Sequence, residues 1–363
     1  KYIDFGLMGV GTNVLGYNNL QVNQSVKKAI DKSNMSTLNS PEEISLAEKL
    51  IQIHPWASMV KFARTGGEAN SIAIRIARAF TNSSKVAICG YHGWHDWYLA
   101  ANISNKRNLK NHLMNNLNAE GVPKSLSNTV FPFEYNDFIG MKRIINREKI
   151  KVIKMEVKRH YEPKNNFLKK VRNYATKNNI ILIFDECTTG FREVFGGLHK
   201  KYKINPDLAI FGKALGNGFA ITAIIGKKRI MEKAKDTFIS STFWTERSGS
   251  VAALKTIELM EKGKSWKQIN KIGKKIKLGW RRLSRKYNLD LDIYGSNALP
   301  TFCFKSNKNS YYLNFITGEM LKRGFLFKNT VYVSISHNKN IIKRYFNALE
   351  QSFKMLKEIN KVI

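Results

Sequence analysis

Short apolar runs alternate with amphipathic helical patterns through most of this chain. The runs at 85–90, 129–131, 152–155 and 180–184 have the length and composition of strands, and residues 164–178 place apolar side chains at helical spacing. Strands that alternate with helices predict an α/β fold with a mostly parallel sheet covered on both faces. The run at 180–184 shows no polar alternation, which predicts a central strand.

The pattern changes after residue 262. A long basic helix leads into a mixture of short strands and helices, which we interpret as a smaller α/β domain over 263–363 beside a larger domain over 1–262. The predicted elements of the smaller domain are a helix at 265–287, which leads to the segment 300–304, a helix at 310–322, a strand at 332–336 and a helix at 339–359.

The chain carries 61 basic and 27 acidic residues among 363, a formal net charge of +34. Such a charge makes nonspecific binding to nucleic acid possible, although the sequence contains no nucleic-acid-binding motif. The basic residues are spread along the chain and accompany many Asn and Ile residues. Compositional drift therefore explains the charge better than a nucleic-acid function does.

The three cysteines, Cys89, Cys187 and Cys303, are far apart and form no CxxC pair. This usage predicts a reducing, cytoplasmic compartment and argues against a zinc or other metal site. The sequence has no run of about eighteen apolar residues, so it predicts no membrane-spanning helix.

Two glycines, Gly66 and Gly67, stand at the start of a predicted helix whose apolar face runs from Ala69 to Phe80. Backbone N–H groups at a helix start favour an anion, so this turn is a candidate phosphate site; an ordinary glycine-rich turn is the alternative. The segment lacks the GxxxxGK[ST] pattern of a nucleotide-binding loop.

Aromatic and acidic residues follow two of the predicted strands. The segment YHGWHDW at 91–97 comes after the strand at 85–90 and offers rings that could stack on a flat ligand or pack in the core. Asp185 directly follows the run at 180–184. An unpaired charge at the edge of the core would be costly, so Asp185 needs a cationic partner from a ligand or from another residue. Glu186 follows it, and neighbouring strand residues point to opposite faces, which argues against a two-carboxylate hydrolase site.

Lys213 stands between the apolar runs at 208–211 and 219–225 and has glycines beside it. One interpretation is a loop lysine that faces solvent; the other is an amine in a dry pocket, ready to form a Schiff base with a carbonyl. An anion-binding helix start, an aromatic plate, a buried aspartate and this lysine together describe a pocket for a phosphorylated aromatic aldehyde, pyridoxal 5′-phosphate (PLP).

These motifs occur in a familiar order. The chain resembles the class III PLP-dependent aminotransferases, most of all their glutamate-1-semialdehyde aminomutase-like branch. The resemblance implies the type I fold of PLP-dependent transferases, with a mostly parallel seven-stranded sheet and a smaller α/β C-terminal domain. The motifs that carry it are RTGGEAN (64–70), YHGWHDW (91–97), FEYND (133–137), FDECTTGFR (184–192), PDLAIFGKALGNG (206–218) and STFWTER (241–247).

The resemblance assigns the central chemistry by position. Lys213 would hold PLP as a Schiff base and, once released by the substrate, would move a proton between the substrate carbon and the cofactor carbon. Asp185 would keep the ring nitrogen protonated. Tyr91 would stack on the ring, with His92 beside it.

Other positions would bind the phosphate or border the cofactor. Gly66 and Gly67 would bind the phosphate, and Thr242 would reach the phosphate of the neighbouring subunit's cofactor, so the resemblance implies a homodimer with its active site at the interface. Glu156 and Glu186 match acidic positions near the cofactor, without an assigned role.

Several departures from the family pattern concern the substrate. Glu156 is followed by Val157 where the family usually has proline, the phosphate turn reads Thr-Gly-Gly, and the stretch after Thr242 is unlike that of the aminomutases. Family members also carry an N-terminal segment, which we expect to be incomplete here.

The resulting prediction is an aminotransferase that moves an amino group from an amine or amino-acid donor to an aldehyde or keto acceptor. Arg192 and Arg247 are candidates for binding a substrate carboxylate, because arginine offers a bidentate fork; structural roles at the surface are the alternative. The competing interpretations are a true glutamate-1-semialdehyde 2,1-aminomutase and a basic nucleic-acid-binding protein on an inactive aminotransferase scaffold.

Overall fold

A computed structural model describes residues 1–106, 108–110, 112 and 117–359. The strands are β1 (Ile3–Phe5), β2 (Met59–Ala63), β3 (Val86–Cys89), β4 (Val130–Pro132), β5 (Val152–Glu156), β6 (Ile181–Asp185), β7 (Leu208–Phe211), β8 (Thr222–Gly226), β9 (Leu291–Tyr294), β10 (Thr301–Phe304) and β11 (Phe325–Phe327). The helices are α1 (Met8–Gly11), α2 (Leu20–Ile30), α3 (Pro41–Ile53), α4 (Gly66–Thr81), α5 (Asp96–Leu99), α6 (Phe138–Glu148), α7 (Phe167–Lys177), α8 (Lys228–Met231), α9 (Arg247–Gly263), α10 (Ser265–Tyr287), α11 (Asn309–Lys322) and α12 (Lys339–Ile359). Within these ranges, no helix is long and apolar enough to cross a membrane.

Seven strands form the central sheet, in the order β2-β8-β7-β6-β5-β3-β4. β8 runs antiparallel to both of its neighbours, whereas the pairs from β7 across to β4 are parallel. The predicted α/β fold with a mostly parallel sheet is therefore confirmed, and β6 is a central strand as its apolar run predicts.

Alternate residues of β6 face opposite sides of the sheet, and helices cover both sides. Ile181 and Ile183 pack with the apolar face of α4, whereas Leu182 and Phe184 pack with α6 and α7. All residues of β6 are buried. Burial on both faces is the physical reason why this strand lacks polar alternation.

The C-terminal region combines two small sheets with long helices. β9 pairs antiparallel with β10, and β11 pairs parallel with β1, so the N-terminal strand joins this region. The helices α10 and α12 meet at Trp280, whose indole N–H donates to the Tyr345 hydroxyl at 3.0 Å. The helices predicted at 265–287 and 339–359 are confirmed, and the domain boundary at residue 262 stays a prediction.

The strand predicted at 332–336 is wrong. The backbone N–H of Tyr332 donates to Gly6, and that of Val333 donates to Ala298, in a different segment. A strand needs successive bonds to the same neighbour, so this segment is irregular although its backbone groups are satisfied. The apolar pattern of this segment reflects its burial, since Tyr332, Val333 and Ser334 are all buried.

A glycine on α10, Gly273, allows this helix to approach the loop that carries Asn297. A Cβ at this position would overlap the Asn297 carbonyl oxygen, so we expect Gly273→Ala to lower the free energy of unfolding by about 1–3 kcal/mol, as overpacking does. Gly318 on α11 is the matched control, because a Cβ there meets nothing within 4 Å and alanine favours a helix by about 0.5–1 kcal/mol. Urea unfolding measures both variants; an unchanged stability of Gly273→Ala would contradict the packing.

Candidate active site

Neighbouring parallel strands end side by side, and the turns after them carry the candidate residues. Asp185 is the last residue of β6 and lies opposite Glu156, the last residue of β5. His92 lies in the loop after β3, and Lys213 begins the turn after β7. The structure thus brings these side chains to the carboxyl edge of the sheet, where open α/β sheets bind ligands.

The Asp185 carboxylate is buried, with partners on both oxygens. Its Oδ1 accepts from the Cys187 backbone N–H at 3.0 Å. Its Oδ2 lies 2.9 Å from His92 Nδ1 and 3.7 Å from Lys154 Nζ. Burial alone would raise the pKa of Asp185, but the Lys154 ammonium and the His92 hydrogen bond lower it well below its usual range. The carboxylate is therefore ionised inside the protein.

Lys154, which the sequence pattern did not single out, lies inside β5 with no exposed surface. Its Nζ has no hydrogen-bond partner among the described residues and faces Asp185 as its counter-ion. Burial lowers the pKa of Lys154, and Asp185 offsets part of that effect. A signal was present in the sequence, because a lysine that interrupts the apolar run at 152–155 needs an acidic partner.

The two predicted ring-binding residues occupy different environments. His92 is buried, and burial, together with the nearby Lys154 ammonium, lowers its pKa. His92 is therefore neutral. Its Nδ1–H donates to the Asp185 carboxylate, and Nε2 carries no proton and can only accept a hydrogen bond. Tyr91 is half-buried, and its ring packs edge-on against Tyr98 at a centroid distance of 6.0 Å.

Glu156 holds the loop that carries Tyr91 and His92. Its Oε2 accepts from the Tyr91 backbone N–H at 3.1 Å, and both its oxygens bind the Arg159 guanidinium, with Arg159 Nε 2.8 Å from Oε2. Gly90 packs so closely here that a Cβ would lie 2.6 Å from Glu156 Oε2, and its φ of +112° favours glycine. Glu156 is therefore a positioning residue for the loop after β3.

Lys213 stands at the sheet edge with a φ of +43°, which is uncommon for a residue other than glycine. Its Nζ donates to Thr188 Oγ1 at 3.3 Å, and Arg159 also donates to this hydroxyl at 3.3 Å. The side chain is half-buried, so the amine is not sealed inside the core. A strained backbone that directs an amine to a sheet edge supports a functional role.

The predicted phosphate turn has the geometry of an anion site. Gly66 and Gly67 are the first residues of α4, a 16-residue helix that begins with a capping box formed by Thr65 and Glu68. The backbone N–H groups of both glycines have no acceptor among the residues described, so they are available to an anion. A Cβ at Gly67 would lie 2.7 Å from the His95 ring, so this position has no room for a side chain.

Cys187 connects the phosphate turn with the lysine turn. A Cβ at Gly66 would lie 3.6 Å from Cys187 Sγ, and one at Gly212 would lie 3.4 Å from the same sulfur. The backbone N–H of Cys187 donates to Asp185. The helix start, the turn of Lys213 and the buried carboxylate therefore surround one residue, within reach of one small ligand.

Glu186 faces away from this cluster, as the residue after Asp185 on a strand must. Its Oε1 accepts from the backbone N–H of His199 and from His199 Nδ1, at 2.8 Å each. Trp56 Nε1 donates to His199 Nε2 at 3.0 Å, which makes Nδ1 the protonated nitrogen. Burial would raise the pKa of Glu186, but the His199 contacts lower it. Its role in the structure is to anchor the segment that carries His199.

The two candidate arginines lie in different places. Arg192 is buried and donates to the backbone carbonyls of Thr188, at 2.9 Å, and Gly11. Burial lowers the pKa of Arg192 to about 10, and through Thr188 the guanidinium borders the site. The structure does not bring Arg247 there, because its guanidinium binds the Glu42 carboxylate, with Nε 3.2 Å from Oε2.

Thr242 is exposed in the loop between α8 and α9. Large aromatic side chains flank it, with Phe238 87% and Phe243 62% exposed. The loop is fastened to the start of α4 by Arg64, whose Nε donates to the Phe243 carbonyl at 2.9 Å. An apolar surface thus adjoins the phosphate turn.

These features together fit PLP. The free N–H groups of Gly66 and Gly67 suit its phosphate, the Asp185 carboxylate suits its ring nitrogen, and the Lys213 amine suits its aldehyde. In the described ranges, no group of three or more His, Cys, Asp or Glu residues could hold a metal ion.

Comparison with known proteins identifies the family. The aminotransferase class-III family matches residues 1–153 and 160–357. The chain is 31% identical over 355 residues to a 3-aminobutyryl-CoA aminotransferase of Cloacimonas acidaminovorans, covering 95% of this chain and 81% of the relative. It is 30% identical over 382 residues to a glutamate-1-semialdehyde 2,1-aminomutase of Methanococcus maripaludis, covering 98% and 88%.

Solved structures share the fold. The FumI protein of Sphingopyxis sp. MTA144 matches with a TM-score of 0.88 at 21% identity, covering 98% of this chain and 84% of that one. An omega-transaminase from Sphaerobacter thermophilus matches with a TM-score of 0.86 at 20% identity, covering 97% and 86%. The predicted type I fold is confirmed. The chain belongs to the class-III aminotransferase family and is a PLP-dependent enzyme.

Proposed function

We propose that this enzyme transfers an amino group from an amine or amino-acid donor to an aldehyde or keto acceptor, with Lys213 as the residue that holds PLP. The position of the Lys213 amine carries the proposal: it lies in the turn after β7, at the carboxyl edge of the sheet, 3.3 Å from Thr188 Oγ1. PLP supplies an aldehyde that condenses with amines and a ring that accepts electrons from the carbon next to the nitrogen.

The chain's own residues bind and orient the cofactor. The N–H groups of Gly66 and Gly67 would bind the phosphate at the positive end of the α4 dipole. The Asp185 carboxylate would hold the ring nitrogen, and His92 keeps this carboxylate oriented through Nδ1. Tyr91, whose backbone is fixed by Glu156, would cover the ring.

Lys213 also moves the proton. Once a substrate amine has displaced it, Lys213 Nζ would act as the general base that holds the proton from the substrate carbon and would return it at the cofactor carbon, which requires hydrogen-bond reach to both. The Thr188 hydroxyl orients this amine, and Arg159 fixes the hydroxyl. Glu156 in turn binds the Arg159 guanidinium, so the base is supported by a continuous chain of contacts.

The substrate is proposed at the level of its class. Transfer between two molecules is the main proposal, because the stretch after Thr242 departs from that of the aminomutases. The identity of 30% with an aminomutase favours a second candidate, transfer within glutamate-1-semialdehyde itself. Arg192 remains the proposed partner for a substrate carboxylate, whereas Arg247 is occupied by Glu42.

We propose a homodimer with the active site at its interface. The exposed Thr242 and its neighbours Phe238 and Phe243 adjoin the α4 start, and Trp94, which is 70% exposed, extends the same surface. Burial of such large aromatic side chains is a strong source of association energy. An interface here places the partner's loop against the phosphate turn.

Two further proposals rest on composition. A cytoplasmic location is supported by the cysteines, since Cys89, Cys187 and Cys303 are free thiols. Nonspecific nucleic-acid binding is supported by the net charge of +34 and has to weaken steeply as salt rises.

Replacement of Lys213 tests the proposed function. Borohydride treatment of the PLP-loaded wild type has to fix the cofactor to the peptide that contains Lys213, detected by mass spectrometry, and Lys213→Ala has to prevent this. We expect kcat to fall by at least about 10²–10⁴-fold, the usual contribution of a general base. Lys227→Ala, in the loop after β8, is the control and keeps both properties. Cofactor fixed at another lysine would contradict the assignment.

The wild type also decides between the two substrate candidates. If a mixture of an amino donor and a carbonyl acceptor gives a keto product and a separate amino product, transfer between molecules is supported. Isomerisation of glutamate-1-semialdehyde without any second substrate supports the aminomutase.

A charged side chain at the proposed interface tests the homodimer. We expect Phe238→Asp to shift the protein towards monomer in light scattering and to weaken PLP binding, because the variant places a charge in the apolar contact. Ile139→Asp is the matched control, since Ile139 is 72% exposed on α6, away from the phosphate turn. A wild type that is monomeric at micromolar concentration, or a Phe238→Asp dimer of unchanged affinity, argues against this interface.

A further inference from the structure

A fully buried lysine beside the cofactor site has no part in the proposed mechanism. Lys154 has no exposed surface, and its Nζ lies 3.7 Å from Asp185 Oδ2 with no hydrogen-bond partner among the described residues. A buried charge of this kind is costly unless it is paired. Its charge therefore has to be balanced inside the protein, and Asp185 is the carboxylate that faces it.

Lys154 lies in a short segment over which the family match is interrupted. The class-III family matches residues 1–153 and 160–357, so the match is interrupted over 154–159. Lys154 opens that segment and Glu156, which faces the same side of β5, lies within it. The role of the charge next to Asp185 therefore has to be derived from the contacts around it.

The groups around Lys154 leave it paired with Asp185 alone. From the turn after β6, Cys187 contributes no charge, because burial raises the pKa of its thiol well above the usual value. From the loop after β3, His92 is neutral. From β5 itself, the Glu156 carboxylate is already bound on both oxygens by Arg159.

Arrival of the cofactor changes this balance. The ring nitrogen, when protonated, needs the Asp185 carboxylate that Lys154 now faces. Two cations would then share a single interior carboxylate, and like charges at short range in a dry site repel strongly. The ring nitrogen would make a direct hydrogen bond to the carboxylate, whereas Lys154 Nζ lies 3.7 Å from Oδ2.

We propose that Lys154 is a resident counter-ion of Asp185, which releases its proton to solvent when the protonated ring nitrogen of PLP binds this carboxylate. Binding of the cofactor is then coupled to the loss of one proton from the Lys154 ammonium. Lys154 is thus a positioning residue, because it acts on the ring nitrogen through the charge of Asp185. The inference rests on the proposed contact between the ring nitrogen and Asp185.

Calorimetry with pyridoxine 5′-phosphate tests the proposal. This probe has the ring nitrogen and the phosphate but an alcohol in place of the aldehyde, so it forms no covalent bond with Lys213. Titration of the cofactor-free protein in two buffers of different protonation enthalpy counts the protons released. We expect wild type to release about one proton more than Lys154→Met, as linkage requires for a group that loses its charge on binding. Lys61→Met, at a half-buried lysine on β2, has to match wild type.

A second ligand keeps the test decisive if Lys154→Met does not fold. An analogue with CH in place of the ring nitrogen cannot displace Lys154 from Asp185, so wild type has to release about one proton fewer with it. Equal proton counts for wild type and Lys154→Met, or for the two ligands, would overturn the role of Lys154. Failure of pyridoxine 5′-phosphate to bind wild type at all would instead refute the proposed cofactor contacts.

Discussion

The ionised carboxylate of Asp185, buried at the end of the central strand, is the constraint on which the site depends. A carboxylate without water must be satisfied by the protein, and here three elements supply the partners: the turn after β6, the loop after β3 and the interior of β5. The turn after β6 and the loop after β3 lie at the carboxyl edge because these strands are parallel, and Lys154 reaches Asp185 from within the neighbouring strand β5. The parallel sheet and the buried Asp185 carboxylate therefore locate the candidate site at the same edge of the sheet.

The turns around Asp185 are held by their own contacts, not by the cofactor. Glu156 fixes the loop after β3 through the Tyr91 backbone and binds Arg159, which in turn reaches Thr188 beside Lys213. Every step of this chain is a charge-assisted or backbone hydrogen bond in a mostly buried setting, where such bonds are stronger than at the surface. Preorganisation of this kind leaves little for the cofactor to rearrange.

The sequence predicted what local patterns determine. The unbroken apolar run of β6 predicted a central strand, which the strand order confirms, whereas the anion site predicted from Gly66 and Gly67 stays a prediction. The prediction of a strand at 332–336 was wrong because strand pairing depends on a neighbouring segment, and the local sequence does not show which segment that is. Lys154 went unnoticed for a similar reason, since its partner Asp185 is adjacent only after β5 and β6 pair.

The central claim is that Asp185, and not the adjacent Glu186, faces the cofactor. The most direct test is the dissociation constant of pyridoxine 5′-phosphate for Asp185→Asn and Glu186→Gln. A hydrogen bond to a charged group contributes about 1.5–3 kcal/mol, so Asp185→Asn has to weaken binding by about ten- to a hundredfold. Glu186→Gln, whose carboxylate binds His199 on the other face, has to leave the affinity of the folded protein nearly unchanged. Equal losses in the two variants, or none in Asp185→Asn, would contradict the account.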